Sequence, residues 1–158
     1  MSFGLVAANA GRMDLDGAVF VSSDPRAARS SGVGMVFQHL SLLDALSVAE
    51  NIALGMEDPP KLRELSAQIR EVSETHGLPL SPDRIVGDLS AGERQRVEII
   101  RCLLGKPRLL IMDDPTSVLT PQEVTILFET LRKLSAEGTA ILYISHKLEE
   151  IRVLCDAA

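Results

Sequence analysis

Only two cysteines occur in the 158 residues, Cys102 and Cys155, so no disulfide framework is possible beyond one bridge, and their separation fits no metal-ligand spacing. Each stands near an apolar run, which predicts two reduced, buried thiols in a cytosolic protein. Basic residues are scarce: 16 Lys and Arg face 22 Asp and Glu, a net charge of −6. That balance argues against a nucleic-acid partner held through phosphates, which needs a basic face. No apolar run approaches the roughly 20 residues of a membrane-spanning helix. The opening MSFGLVAANA has neither a basic start nor a long apolar core, so it does not read as a secretory signal. Also missing is any G-x-x-x-x-G-K-S/T stretch; LLGKPR contains a Gly-Lys but neither the earlier glycine nor the hydroxyl.

A hydrophobic content of 46% over this length is enough for one packed domain. Asp16-Gly17 between short alternating segments predicts a hairpin. GVGMVFQ predicts a short buried strand ending at Gln38. SVAENIALG has Ser47 and Glu50 in capping-box register and Gly55 as a stop, which predicts a short helix. KLRELSAQIREVSET places Leu62, Leu65, Ile69 and Val72 on one face and closes at Gly77. In the second half, Ser90 and Glu93 open a helix carrying Val97, Ile100 and Leu104. RLLIMD reads as a strand covered on both faces. Thr120, Pro121 and Glu123 form a well-specified start to a helix with Val124, Leu127, Phe128, Leu131 and Leu134 inward. TAILYIS predicts another buried strand, and HKLEEIRVL a last helix. Strand, helix, strand, helix means an α/β fold with a parallel sheet.

Such sheets bind ligands beyond the carboxyl ends of their strands. Three strands here end in polar groups: Gln38, the Asp113-Asp114 pair, and Ser145-His146. Paired carboxylates at the exposed end of a buried strand suit a metal-bound phosphate. His39 and His76, by contrast, read as solvated loop residues. A capping box alone explains Ser90 and Glu93 without any ligand.

The ordered set GMVFQ, LSAGE, LLIMDDPTS, SVLT and ISH resembles the nucleotide-binding subunits of ATP-binding cassette (ABC) transporters. These segments look like the Q-loop, signature, Walker B strand, D-loop and switch-histidine segment, and the likeness covers nearly the whole chain. VAENIALG, GERQRVEII and PTSVLTPQE are similar to the first cassette of bacterial importers for nucleosides and simple sugars. The resemblance implies a partial P-loop NTPase-like sheet flanked by helices with a small helical subdomain. Its parts are a β-rich segment at about 1–38, the helical subdomain at about 39–88, and the signature, Walker B, D-loop and switch core at about 89–158.

What the resemblance implies for individual residues follows from those matches. Asp113 holds Mg²⁺, through water since that ion keeps its hydration, and Gln38 touches the metal or water. Asp114 stands at the general-base position, where Glu is usual, and His146 reaches the γ-phosphate of ATP. Ser90, Ala91, Gly92 and Glu93 present a helix N-terminus to the ATP of a second nucleotide-binding domain in a head-to-tail dimer. Ala91 replaces a glycine there and Glu93 a glutamine. The implied partners are transmembrane permease subunits and, indirectly, a solute-binding protein; no nucleic acid is implied, and the apolar LSLLDALSV just after Gln38 reads equally as the permease docking surface or as core packing. The implied location is the inner face of the cell membrane. GLVAANAGRMDLDG corresponds to the stretch after the Walker A helix, so the chain reads as an internal piece of a cassette. Without Walker A the chain alone is expected to be inactive as an ATPase, with the strand ending at His146 left as a sheet edge. The alternative is a non-catalytic remnant or interaction module.

Overall fold

A computed structural model describes residues 14–15, 17–20, 24–37 and 42–157. The predicted hairpin is present as β1 (Asp14–Leu15) and β2 (Ala18–Val19), paired antiparallel. A helix that the sequence reading did not anticipate follows, α1 (Pro25–Ser30). Asp24 caps it by accepting from the backbone N–H of Arg26 and Ala27, with Pro25 in its first turn. Next come β3 (Val33–Val36), α2 (Val48–Leu54) and α3 (Leu62–His76). The second half supplies α4 (Ala91–Leu104), β4 (Leu109–Asp113), α5 (Pro121–Ala136), β5 (Ala140–Ile144) and α6 (Leu148–Leu154).

All three expected capping boxes form. Ser47 with Glu50, Ser90 with Glu93 and Thr120 with Glu123 each exchange side-chain and backbone bonds. An orphan N–H at a helix start is worth about 1 kcal/mol when capped this way, so these boxes fix where α2, α4 and α5 begin.

The sheet runs β3-β4-β5, all parallel. Val36 pairs with Met112, Met112 with Tyr143, and Asp113 with Ile144. Side chains alternate across it. Leu110 and Met112, with Ile141 and Tyr143, face a large cluster shared with α4, α5 and the α2–α3 pair. That cluster includes Ile52, Leu65, Ile69, Ile100 and Leu131, all without solvent exposure. On the other face Val33 and Ile111 join Ala28 of α1 in a small cluster.

Three expectations need correction. β5 is half exposed, with Leu142 at 47% and Ile144 at 43%. Its apolar run reads as buried, but β5 is the terminal strand among the described residues and nothing described covers that face. Leu62, expected inward, is 47% exposed because it is the first helical residue, ahead of the turn where α3 meets the core. His76 is not a solvated loop residue. It closes α3 half-buried, its Nδ1 has no partner, and burial holds its pKa below the ordinary value. The thiols of Cys102 and Cys155 are free, each on a half-buried residue. Among the described residues no helix is long and apolar enough to cross a membrane.

Candidate functional site

The continuous apolar run of β4 is buried from Leu110 to Met112 and surfaces at Asp113, which is half-buried. The backbone then turns sharply. Asp114 adopts φ 44°, in the left-handed region, a conformation costing roughly 1–2 kcal/mol for a residue with a Cβ. Its N–H donates to the Ile144 carbonyl at 2.8 Å, carrying the ladder one step past the end of the strand. Its carboxylate Oδ1 is shut from solvent with no hydrogen-bond partner. Strain and an orphan acceptor on one residue mark a place kept for something other than stability.

Beyond the proline, Thr116 is 1% exposed and its hydroxyl donates to Glu150 of α6 at 2.7 Å. Three further donors reach the same carboxylate: Tyr143 at 2.7 Å, Ser145 at 3.1 Å and the Lys147 ammonium at 3.2 Å. Lys147 also donates to the Thr116 carbonyl at 3.2 Å, and its backbone N–H to Ser145 Oγ at 3.1 Å. Burial pushes the Glu150 pKa up, but the bonds from Thr116, Tyr143, Lys147 and Ser145 outweigh it and hold the carboxyl below its ordinary range. Tyr143 moves the other way, raised by burial and by the acceptor beside it. The network clamps the turn after β4 to the turn after β5, and His146, exposed, is carried on that second turn between Ser145 and Lys147.

Of the three strand ends expected to converge, two do. The Asp113-Asp114 pair and Ser145-His146 leave adjacent parallel strands at the same edge of the sheet. β3 flanks β4 on the other side with the same direction, so its exit lies at that edge too, but Gln38 is outside the described residues.

Ser90, Ala91, Gly92 and Glu93 form the N-terminus of α4. Glu93 is bonded to Ser90 and to the Arg84 guanidinium. The Ser90 backbone bond above all, with the Arg84 pairing, keeps the Glu93 carboxyl below its usual pKa despite burial. Gly92 is buried against α5: a Cβ there would stand 1.7 Å from Glu123 Oε1. Ala91 is exposed. Sequence reasoning missed Glu150, Thr116 and Lys147. Only the acidic first turn of α6 hinted at Glu150, since its partner Thr116 is 34 residues away.

The chemistry on offer is a pair of carboxylates, one with a bare buried oxygen, beside a hydroxyl–carboxylate–ammonium clamp and an exposed imidazole. Among the described residues no group of three or more His, Cys, Asp and Glu is poised to enclose a metal. Two carboxylates and water fit a magnesium ion, which takes one or two carboxylates and leaves its other positions to water and phosphate. The orphan Asp114 oxygen fits the same need.

Such a sheet, with acidic and imidazole groups at its carboxyl end, defines an α/β domain of the nucleotide-binding type. The ABC transporter family pattern matches residues 1–117, and the chain belongs to that family. It is 41% identical over 157 residues to the nucleoside import ATP-binding protein NupA of Lactococcus lactis subsp. cremoris, covering 97% of this chain and 31% of that protein. It is 42% identical over 160 residues to the ribose import ATP-binding protein RbsA 1 of Mesorhizobium japonicum, with the same coverage of 97% and 31%. Among solved structures, a nucleotide-free ATP-binding cassette from an ABC transporter superposes with a TM-score of 0.84 at 27% identity. That match covers 98% of this chain and 67% of the cassette. The chain thus spans about a third of the length of the curated relatives it matches. Nucleotide binding with Mg²⁺ is general to the family.

Proposed function

We propose that this chain is part of the ATP-binding subunit of an importer for nucleosides or simple sugars, and that the β4–β5 exit is its nucleotide edge. The observation that carries the reading is Asp114, whose left-handed backbone and unpartnered Oδ1 are costs that a bound Mg-ATP and its attacking water would offset. In this reading Asp113 holds the ion through water, with Gln38 as a second contact. Asp114 takes the proton of the attacking water, and His146 fixes the γ-phosphate. When bound, the metal supplies charge neutralisation to the phosphates. The Glu150 clamp ties the turn that carries Asp114 to the turn that carries His146.

Ser90, Ala91, Gly92 and Glu93 serve the ATP of a second nucleotide-binding domain. Permease subunits receive the motion, a solute-binding protein delivers the solute to them, and the assembly sits at the inner face of the cell membrane. The sequence lacks G-x-x-x-x-G-K-S/T, whose backbone N–H groups and lysine supply most of the fixed positive potential for phosphates. Asp114, one methylene shorter than the glutamate usual at the general-base position, favours a second reading, a non-catalytic module keeping the fold without turnover.

Titration of the chain with Mg-ATP, followed by amide NMR shifts, tests both. Shifts confined to Asp113–Thr116 and Ser145–Lys147, weaker than micromolar and abolished by Asp113→Ala, are expected, with no phosphate release above background. Shifts that avoid both turns would sink the nucleotide-edge reading, and measurable phosphate release would sink the non-catalytic one.

A further inference from the structure

A concavity of about 360 Å³ lies away from the strand ends, between the C-terminal half of α3 and the end of α4. That volume falls in the range of small-molecule sites, roughly 300–1,000 Å³. Its floor is aliphatic. Leu103 is part of the large core cluster, and Val72 and Leu104 pack against that cluster. No residue of the nucleotide edge lines the space.

Two opposite charges reach this floor from different elements, Glu71 on α3 and Lys106 just past α4, both exposed. Among the described residues neither takes part in a salt bridge. The Lys106 backbone is in the left-handed region, at φ 47°, which disfavours a residue with a Cβ. Its N–H donates to the Leu103 carbonyl at 2.9 Å, which fixes the turn. Strain kept on a residue whose ammonium meets no protein partner points to a ligand. His76 closes the same space with an Nδ1 that is out of solvent and has no partner. Burial holds its pKa below the ordinary value, so the ring is neutral at pH 7 and one of its nitrogens is an acceptor. A carboxylate and a neutral imidazole suit an ammonium, which has three donors to place. The unpaired lysine suits a carboxylate. The aliphatic floor suits a hydrocarbon chain carried with them.

We propose that this cavity binds a free α-amino acid with an aliphatic side chain. The ligand's ammonium bonds Glu71 and His76, its carboxylate bonds Lys106, and its side chain rests on Val72 and Leu104. Bound there, it bridges α3 to α4, the helix whose first turn holds Ser90 and Glu93. The site does not depend on nucleotide, so its test is separate from that of the strand ends.

The test titrates the full chain with L-leucine and reads amide NMR shifts. Leucine should move Glu71–His76 and Leu103–Lys106 and leave Asp113–Thr116 in place. L-leucinamide lacks the carboxylate and N-acetyl-L-leucine lacks the ammonium; each should bind roughly tenfold more weakly, the loss expected for one hydrogen bond to a charged group. Glycine, without a side chain, should also bind more weakly than leucine. Glu71→Gln and Lys106→Gln should each weaken leucine binding roughly tenfold. Both side chains are exposed, so an otherwise unaltered spectrum shows that the fold is kept, and either variant serves if the other does not fold. Leucinamide or N-acetyl-leucine binding as tightly as leucine overturns the two-charge assignment, and glycine binding as tightly overturns the aliphatic one. Leucine that moves none of these amides at its solubility limit, or that binds both variants unaltered, overturns the site.

Discussion

Asp114 concentrates two costs on one side chain, and they can be removed separately from the rest of the site. Glycine meets φ 44° without a Cβ clash and carries no carboxylate to strand. Asp114→Gly should therefore raise the urea midpoint of unfolding by the equivalent of roughly 1–2 kcal/mol. A lower midpoint would mean that Oδ1 is satisfied in solution and that the residue is structural. Gly92 makes the opposite case. Its buried Cα carries the Glu123 carboxylate, which also closes the Thr120 capping box at 2.9 Å and lies 3.8 Å from Arg96. Gly92→Ala must expel that carboxylate, and should cost about 1 kcal/mol, the worth of a cap. In Gly92→Ala with Glu123→Ala the second change should add almost nothing, because the first has already emptied the contact. Additive losses in the double-mutant cycle would show that the two residues do not touch.

Among elements, what could be read from the sequence was what is encoded within a few residues. The three capping boxes span i to i+3, and the inward stripe of α5 recurs at helical spacing, so both stand in the structure where the spacing put them. α1 escaped notice because six residues carry too little periodicity, although Asp24-Pro25 marked its start. The β4 carboxylates were legible as a strand end; the clamp that positions them was not, because Glu150 gathers Thr116, Tyr143, Ser145 and Lys147 from three elements. That clamp has a pH signature. A carboxyl whose folded pKa lies below its ordinary 4.5 contributes stability that is complete above that value and is lost as pH falls through the folded pKa. Glu93 and Glu50 behave in the same direction, so the measurement must be a difference. Wild type should exceed Glu150→Gln by a constant urea midpoint from pH 6 to 8, and the gap should close on acidification below about 4.5. A gap that stays constant into acid would remove the ionised Glu150 from the account.

For the molecule as a whole, the sheet is unequally covered. β4 is sealed on both faces, whereas β5 ends the sheet among the described residues with Leu142 and Ile144 in solvent. Leu148 and Val153 of the adjoining α6 are also exposed, at 69% and 58%. The strand AILYI contains no charge and no proline, the devices by which edge strands resist pairing with another chain. Its far backbone groups and one apolar face are together a template for a fourth strand. The chain is therefore expected to associate as its concentration rises, through β5 rather than through the charged faces of α3 or α5. Leu142→Lys places a charge on the exposed face of that strand. It should suppress association in light scattering while changing the monomer's stability by no more than about 0.5 kcal/mol, as for other exposed positions. If scattering is unaltered by the lysine, the open edge is not the contact, and the apolar side of α6 becomes the surface to change next.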